Sequence, residues 1–156
     1  MRIRNRGIVT AFFVAACVFF YAIPATVGSD REKNNAVTLN IGAFEYAKEL
    51  IKEGQVIADG RGAWGEHQPS AGAENEFIRL HGFGEYAKWH LGIDDRYAEN
   101  TKRRYRFPYG DFKNIHRCGL LAAQSRAAQR KYFEIANAAA QLKAMIDMIR
   151  EAHAKP

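Results

Sequence analysis

The apolar run from Ile8 to Ile23 constrains this chain more than any other stretch, because only Thr10 among its sixteen residues is not apolar. Three arginines and no acidic residue precede the run, and Pro24 and several small residues follow it. A basic start, an apolar centre and a small-residue end are typical of a secretory signal peptide. The pattern therefore predicts that residues 1–28 are a signal that is cleaved and lies outside the fold.

Two other interpretations of this segment stay open. The first is an uncleaved anchor in which residues 8–27 contact the membrane, although a bilayer core needs about 20 apolar residues. The second is lipid attachment at Cys17, because Val14–Cys17 resembles a lipobox, but the residues that follow continue the apolar run. An exported protein, periplasmic or secreted, is the leading expectation, and a membrane-anchored protein is the alternative.

Without residues 1–28 the chain has 128 residues, a length that suits one domain. Its net charge falls from +6 to +3, because the segment removed carries three arginines. Of the two cysteines only Cys118 is left, and a single thiol cannot form an internal disulfide. The fold must therefore be stabilised by packing, and its many alanines favour closely packed helices.

Apolar residues recur at helical spacing in three parts of the chain. Residues 37–51 carry one such stripe, residues 115–131 a second and residues 135–149 a third. Ser70 is a good helix N-cap, and Gly82 interrupts the helix that follows it. The predicted fold class is mainly α, a small bundle of four to five helices with at most a short extended pair.

This pattern divides the chain into three segments, which are a signal peptide or anchor at 1–28, a front helix and loop at 29–69, and a helical core at 70–156. Short extended stretches are predicted at Gln55–Ala58 and Tyr105–Tyr109. The second is extended because the residue before Pro108 avoids the helical region. Asp111 or Asn114 is expected to cap the helix that begins near residue 115.

Several motifs resemble a family of small uncharacterised bacterial proteins. They are Trp64–Ser70 (WGEHQPS), Gly84–Asp94 (GEYAKWHLGID), Thr101–Phe112 (TKRRYRFPYGDF) and His116–Leu120 (HRCGL). A similar pattern occurs in tail segments of some phage prohead-maturation proteins. The resemblance covers about residues 64–150. It implies no known activity, and it carries over no catalytic residue and no cofactor.

Positive charge is concentrated in one block of the sequence. Residues 29–101 have a net charge of −5, whereas residues 102–131 have a net charge of +8. The candidates for anion binding are eight of the nine basic residues of this block, namely Lys102, Arg103, Arg104, Arg106, Lys113, Arg117, Arg126 and Arg130. Guanidinium groups next to aromatic rings suit phosphates and stacked bases. The alternative is that acidic residues of the first half, especially Glu45, Glu49 and Glu53, neutralise the block.

Three functions are compatible with these features. The leading interpretation is an exported, non-enzymatic protein that binds an anionic envelope component or an acidic protein through residues 102–131. The second is a phage-derived accessory that binds nucleic acid or acts in assembly. The third is a metal-binding enzyme that depends on histidines, with His67, His81, His90 and His116 as the residues to consider. No His-x-x-x-His or Cys-x-x-Cys spacing supports a metal site in the sequence.

Cys118 is interpreted as a buried, inert thiol, because it shares an apolar helical stripe with Ile115 and Leu121. On one helix, His116 would point about 200° away from Cys118, which argues against a cysteine–histidine pair. Four aromatic residues are candidates for the rim of a ligand cleft, namely Trp64, Trp89, Tyr105 and Tyr109. The alternative is that these rings are anchors of the core.

Overall fold

The computed structural model describes residues 37–154, with side chains described through Ala152. The predicted signal or anchor in residues 1–28 lies outside this part of the chain. Residues 37–154 contain five α-helices and five short strands, and the strands form two sheets. The fold is therefore mixed α/β, and the predicted helical bundle with at most a short extended pair is wrong. None of the helices in the described range is long and apolar enough to span a membrane.

The elements in chain order are β1 (Val37–Leu39), α1 (Ile41–Lys52), β2 (Val56–Ile57), α2 (Trp64–His67), α3 (Ala71–Ala87), β3 (His90–Asp94), a 3₁₀ turn (Lys102–Arg104), β4 (Tyr105–Pro108), β5 (Ile115–His116), α4 (Arg117–Gln129) and α5 (Phe133–Ala154). Strand β3 is the centre of an antiparallel sheet with the order β1–β3–β4. Strands β2 and β5 form a separate parallel pair, in which Ile57 lies opposite His116.

The strands are short and their partners are distant in sequence, which explains why the periodicity of apolar residues did not predict the sheets. Val37 pairs with Asp94 in the sheet, although its spacing had placed it on the front helix. Strand β3 occupies residues 90–94, where no extended stretch was predicted. The extended stretches predicted at Gln55–Ala58 and Tyr105–Tyr109 contain β2 and β4.

Local signals predicted several helix boundaries correctly. The Ser70 hydroxyl caps α3 by accepting a hydrogen bond from the backbone N–H of Ala73. Gly82 breaks the regular backbone of α3 with a φ of 80°, a conformation that glycine adopts without strain. The last two apolar stripes form two helices, and Lys131 between them has a φ of 62°. Residues 117–154 therefore form a tight pair of helices.

The core lies where α1, α4 and α5 pack against the three-stranded sheet. Its largest fully buried side chains include Tyr86, Leu91, Tyr109, Leu120 and Leu142. Trp89 and Tyr109, two of the candidates for a cleft, belong to this core with exposed fractions of 3% and 0%. The Tyr109 hydroxyl donates to a backbone carbonyl, with those of Lys88 and Ala43 both in reach. The Tyr109 hydroxyl therefore connects the residue after β4 with α1 and with the end of α3.

Candidate metal centre

Four side chains of metal-binding type converge where the β2–β5 pair meets the start of α4. They are Asp59, His67, His116 and Cys118, and one donor atom from each lies within 4.8 Å of the other three. The parallel pairing of β2 with β5 carries Asp59, two residues beyond β2, to the junction of β5 and α4. His67 is the last residue of α2. The cluster therefore joins three separate parts of the chain.

The carboxylate of Asp59 is at the centre of this cluster. Its Oδ2 atom lies 2.6 Å from His67 Nδ1, 2.7 Å from His116 Nδ1 and 3.0 Å from Cys118 Sγ. Its Oδ1 atom accepts a hydrogen bond of 2.6 Å from the backbone N–H of Cys118. Asp59 thus caps the first turn of α4 from a distant loop, and its second oxygen is shared by three potential metal ligands.

Asp111 supports the site from behind His116. Its Oδ1 atom accepts hydrogen bonds from the N–H groups of Lys113 and Asn114, so it closes a turn. The expected capping of α4 by Asp111 or Asn114 is wrong, because α4 begins only after this turn. Asp111 Oδ2 lies 3.2 Å from His116 Nε2, a buried atom that has no aligned hydrogen bond within residues 37–154. A carboxylate behind the outer nitrogen is typical of histidines that bind metals.

The thiol of Cys118 is not activated as a nucleophile. Burial, the hydrogen bond to Asp59 and the charge of Asp59 raise the pKa of Cys118 to about 12. Burial by itself would raise the pKa of Asp59, but hydrogen bonds from Cys118, His116 and His67 lower it to about 2. A nucleophilic cysteine needs a lowered pKa, so this geometry does not favour a cysteine-dependent enzyme. A metal ion, in contrast, displaces the thiol proton when it binds.

The donor set fits zinc. Zinc binds thiolate, imidazole and carboxylate in a tetrahedral arrangement with bonds of about 2.0–2.3 Å, which places the donor atoms about 3.3–3.8 Å apart. The distance of 3.6 Å between Cys118 Sγ and His67 Nδ1 already meets this requirement. The contacts of Asp59 Oδ2 need to lengthen by less than about 1 Å. Magnesium and calcium prefer oxygen donors, so the thiol and the imidazoles argue against them.

Two of the four histidines proposed from the sequence belong to this cluster, and two do not. His67 and His116 both contact Asp59. His90 is buried in β3, where its Nδ1 atom lies 2.9 Å from the carbonyl oxygen of Tyr86. His81 lies on the exposed surface of α3. The residue type alone therefore could not distinguish the two histidines of the cluster from the other two histidines.

Sequence reasoning missed Asp59 and set Cys118 aside. It placed His116 and Cys118 on one helix, where they would point in different directions. In the structure His116 ends β5 and Cys118 lies in the first turn of α4, so both side chains reach the same carboxylate. The available signal was a His-x-Cys sequence at a strand-to-helix junction. Asp59 was not among the candidate site residues.

The eight basic candidates fall into a paired and an unpaired group. Four form ion pairs, namely Lys102 with Glu74, Arg104 with Asp95, Arg106 with Asp94 and Arg117 with Asp147. Four are exposed and have no ion pair within the described range, namely Arg103, Lys113, Arg126 and Arg130. Neutralisation of the block is partial, and none of these four pairs uses Glu45, Glu49 or Glu53. Binding of an anionic envelope component stays a prediction.

A groove runs along α4 and begins beside the cluster of Asp59, His67, His116 and Cys118. It consists of two adjoining hollows of about 310 and 210 Å³, which share Trp64, Ala122 and Arg126 in their linings. The larger hollow borders Cys118, and the smaller one reaches Tyr105. Trp64 and Tyr105, the other two aromatic candidates, line this groove, although Trp64 is itself buried with an exposed fraction of 4%, and Trp89 and Tyr109 line neither hollow.

Comparisons with known proteins leave this site to be interpreted from its own chemistry. No protein-family model matches the chain, and no curated protein or solved structure is significantly similar to it. The resemblance to the bacterial family and to the phage tail segments stays a prediction from motifs. No residue of the site takes a role from another protein.

Gly119 allows α4 to approach the rest of the site closely, and Gly119→Ala is expected to lower the free energy of unfolding by about 2 kcal/mol. A Cβ atom there would lie 2.8 Å from the backbone oxygen of Tyr109 and 2.8 Å from the Trp64 ring. The matched control is Gly84→Ala, at an exposed helical position with nothing within 4 Å of the added atom. It is expected to be neutral or to gain up to about 1 kcal/mol. Urea unfolding compares the two variants, and equal stabilities would contradict the close approach.

Proposed function

We propose that the protein binds one zinc ion through Asp59, His67, His116 and Cys118 and that this ion has a structural role. The observation that carries the proposal is the convergence of four donor atoms of zinc-binding type within 4.8 Å. These donors come from three parts of the chain, and a carboxylate stands behind His116 as it does in many zinc sites. Zinc is the expected ion, because thiolate and imidazole together are typical zinc ligands.

The number of donors supports a structural ion over a catalytic one. Structural zinc sites have four protein ligands, whereas catalytic sites leave one position for water or substrate. The ion would join the loop after β2, the end of α2 and the first turn of α4. Helix α2 has only four residues and no side-chain N-cap, so it has little stability of its own. Zinc would hold this short helix, and with it Trp64, against α4.

Metal content tests this proposal. The full chain, dialysed against zinc and then freed of loosely bound ions, is expected to retain one zinc per chain. Cobalt(II) in place of zinc is expected to give an absorption band of charge transfer from thiolate to metal. Cys118→Ser is expected to abolish that band, because serine lacks the sulfur donor, and His116→Gln is expected to lose the ion.

His81→Gln is the matched control, since His81 is an exposed histidine outside the cluster. This variant is expected to retain one zinc and the full cobalt band. Cys17→Ser is the control for the other thiol and is expected to behave in the same way. The proposal would be overturned by substoichiometric zinc in the unaltered chain, or by a cobalt band that persists in Cys118→Ser.

A further inference from the structure

One side of α4 forms the wall of the groove. Cys118, Ala122 and Arg126 follow one another at intervals of four positions on α4, so each is the neighbour of the next on the helix surface, and Arg130 continues this spacing at the C-cap. At a rise of 1.5 Å per residue, Arg126 lies about 12 Å and Arg130 about 18 Å along the axis from Cys118. The two arginines therefore line the groove at a distance from the zinc cluster.

The part of the groove near these arginines is strongly basic. Arg106 from β4 lines the smaller hollow together with Arg126 and Arg130, and Arg61 borders the larger hollow. Among the described residues that line the two hollows, none is acidic. Arg106 contacts Asp94 at 3.5 Å, but its side chain is still 40% exposed. Arg126 and Arg130 have no ion pair in the described range, and unpaired arginines inside a concavity attract anions.

Aromatic residues also line the smaller hollow. Tyr105 and Phe107 line it beside the arginines. Phe107 has a φ of 61°, a conformation that costs a bulky residue about 1–3 kcal/mol and is concentrated at ligand sites. Only together do the two adjoining hollows, of about 310 and 210 Å³, fall within the size range of small-molecule sites, and they are smaller than the extended tracks that bind polymers.

We propose that this groove binds a small organic phosphate, with its phosphoryl group on Arg106, Arg126 and Arg130 and its organic part against Tyr105 and Phe107. Guanidinium groups match the oxygens of a phosphoryl group in paired hydrogen bonds. Arg126 and Arg130 have no ion pair within residues 37–154, and together with the partly exposed Arg106 they favour a phosphoryl dianion over a carboxylate with a single charge. The inference is independent of the zinc centre, because none of these five residues is a proposed zinc ligand.

Calorimetric titration of the full chain with phenyl phosphate tests the inference. The unaltered chain is expected to bind phenyl phosphate more tightly than inorganic phosphate, because only the former offers a ring to Tyr105 and Phe107. Arg126→Gln/Arg130→Gln is expected to weaken binding at least about tenfold. The matched control is Arg103→Gln/Lys113→Gln, which removes two charges from the same basic block outside the groove. The control is expected to change affinity less than about twofold at physiological salt.

Each result of this titration has a defined meaning. Equal losses of affinity in the two double variants would overturn the proposal of a site in the groove, because they would indicate general attraction of phosphate to the basic block. Absence of phenyl phosphate binding would overturn it as well. The titration is carried out on zinc-loaded and on zinc-free protein. If zinc-loaded protein does not bind phenyl phosphate, the proposal for the groove is overturned and the proposal of a zinc site is unaffected.

Two further probes identify the source of the phosphoryl group. Phosphatidylcholine vesicles that contain phosphatidic acid present the same group on a lipid. Binding to these vesicles that depends on Arg126 and Arg130 would support the phosphoryl site and assign its source to a lipid headgroup. A short single-stranded oligonucleotide that displaces phenyl phosphate and binds more tightly would overturn the small-ligand proposal in favour of nucleic acid.

Discussion

Zinc is expected to stabilise the full chain against urea by about 4 kcal/mol when its free concentration is about 1,000 times the dissociation constant. The reason is that the donors meet only in the folded state. Asp59 and Cys118 are 59 positions apart in the sequence, so the unfolded chain offers no comparable site. Urea unfolding curves with zinc and with a chelator measure this difference directly.

The double variant His116→Gln/Cys118→Ser separates the zinc centre from nonspecific effects of the metal. With two of its four donors removed, the site is expected to bind zinc too weakly to change stability. Its unfolding midpoint should therefore be the same in zinc and in chelator. Cys17→Ser is expected to keep the whole zinc effect. A zinc effect that survived in the double variant would show that the ion acts elsewhere on the chain.

Acidification from pH 7 to pH 4 is expected to destabilise the fold by about 3 kcal/mol through His90 alone. Burial lowers the pKa of His90 to about 4, and the hydrogen bond to the Tyr86 carbonyl and the charge of Glu74 only partly oppose this effect. An unfolded histidine takes up its proton near pH 6.5. Between these two values the unfolded chain binds more protons than the folded one, so stability falls as the pH falls.

His90→Asn is the variant that tests this assignment. The asparagine amide can still donate to the Tyr86 carbonyl, but it does not titrate. The variant is expected to be less stable at pH 7, because it leaves part of the ring volume empty. Its stability should change between pH 6.5 and pH 4 by about 3 kcal/mol less than that of the unaltered chain. Urea unfolding in chelator measures both profiles, and parallel profiles would exclude His90 as the source.

The sequence predicted those parts of the fold that depend on neighbouring residues. The Ser70 cap and the break at Gly82 use contacts or dihedral angles within one turn. The last two helices follow from apolar spacing. The sheet β1–β3–β4 depends on pairs such as Val37 with Asp94, which are far apart in sequence. Strands of two to five residues have too little alternation to reveal such pairing.

The candidate site was only half predictable for a related reason. His67 and His116 could be named because histidine is a common ligand, but nothing local connects them to Asp59. That connection depends on the register of the β2–β5 pair, in which Ile57 lies opposite His116. A shift of one residue would turn the side chains to the other face of the pair. Register is a property of the folded chain that two-residue strands do not encode locally.

The order of the four donors along the chain determines when a metal ion can be acquired during synthesis. Asp59 and His67 leave the ribosome first, and Cys118 follows 51 positions after His67. A nascent chain that ends before His116 holds only Asp59 and His67 of the four donors, too few to retain zinc. Under the proposed function, the ion would therefore be retained only after Cys118 has been made. For a chain exported as residues 1–28 predict, the zinc would come from the compartment in which the protein folds.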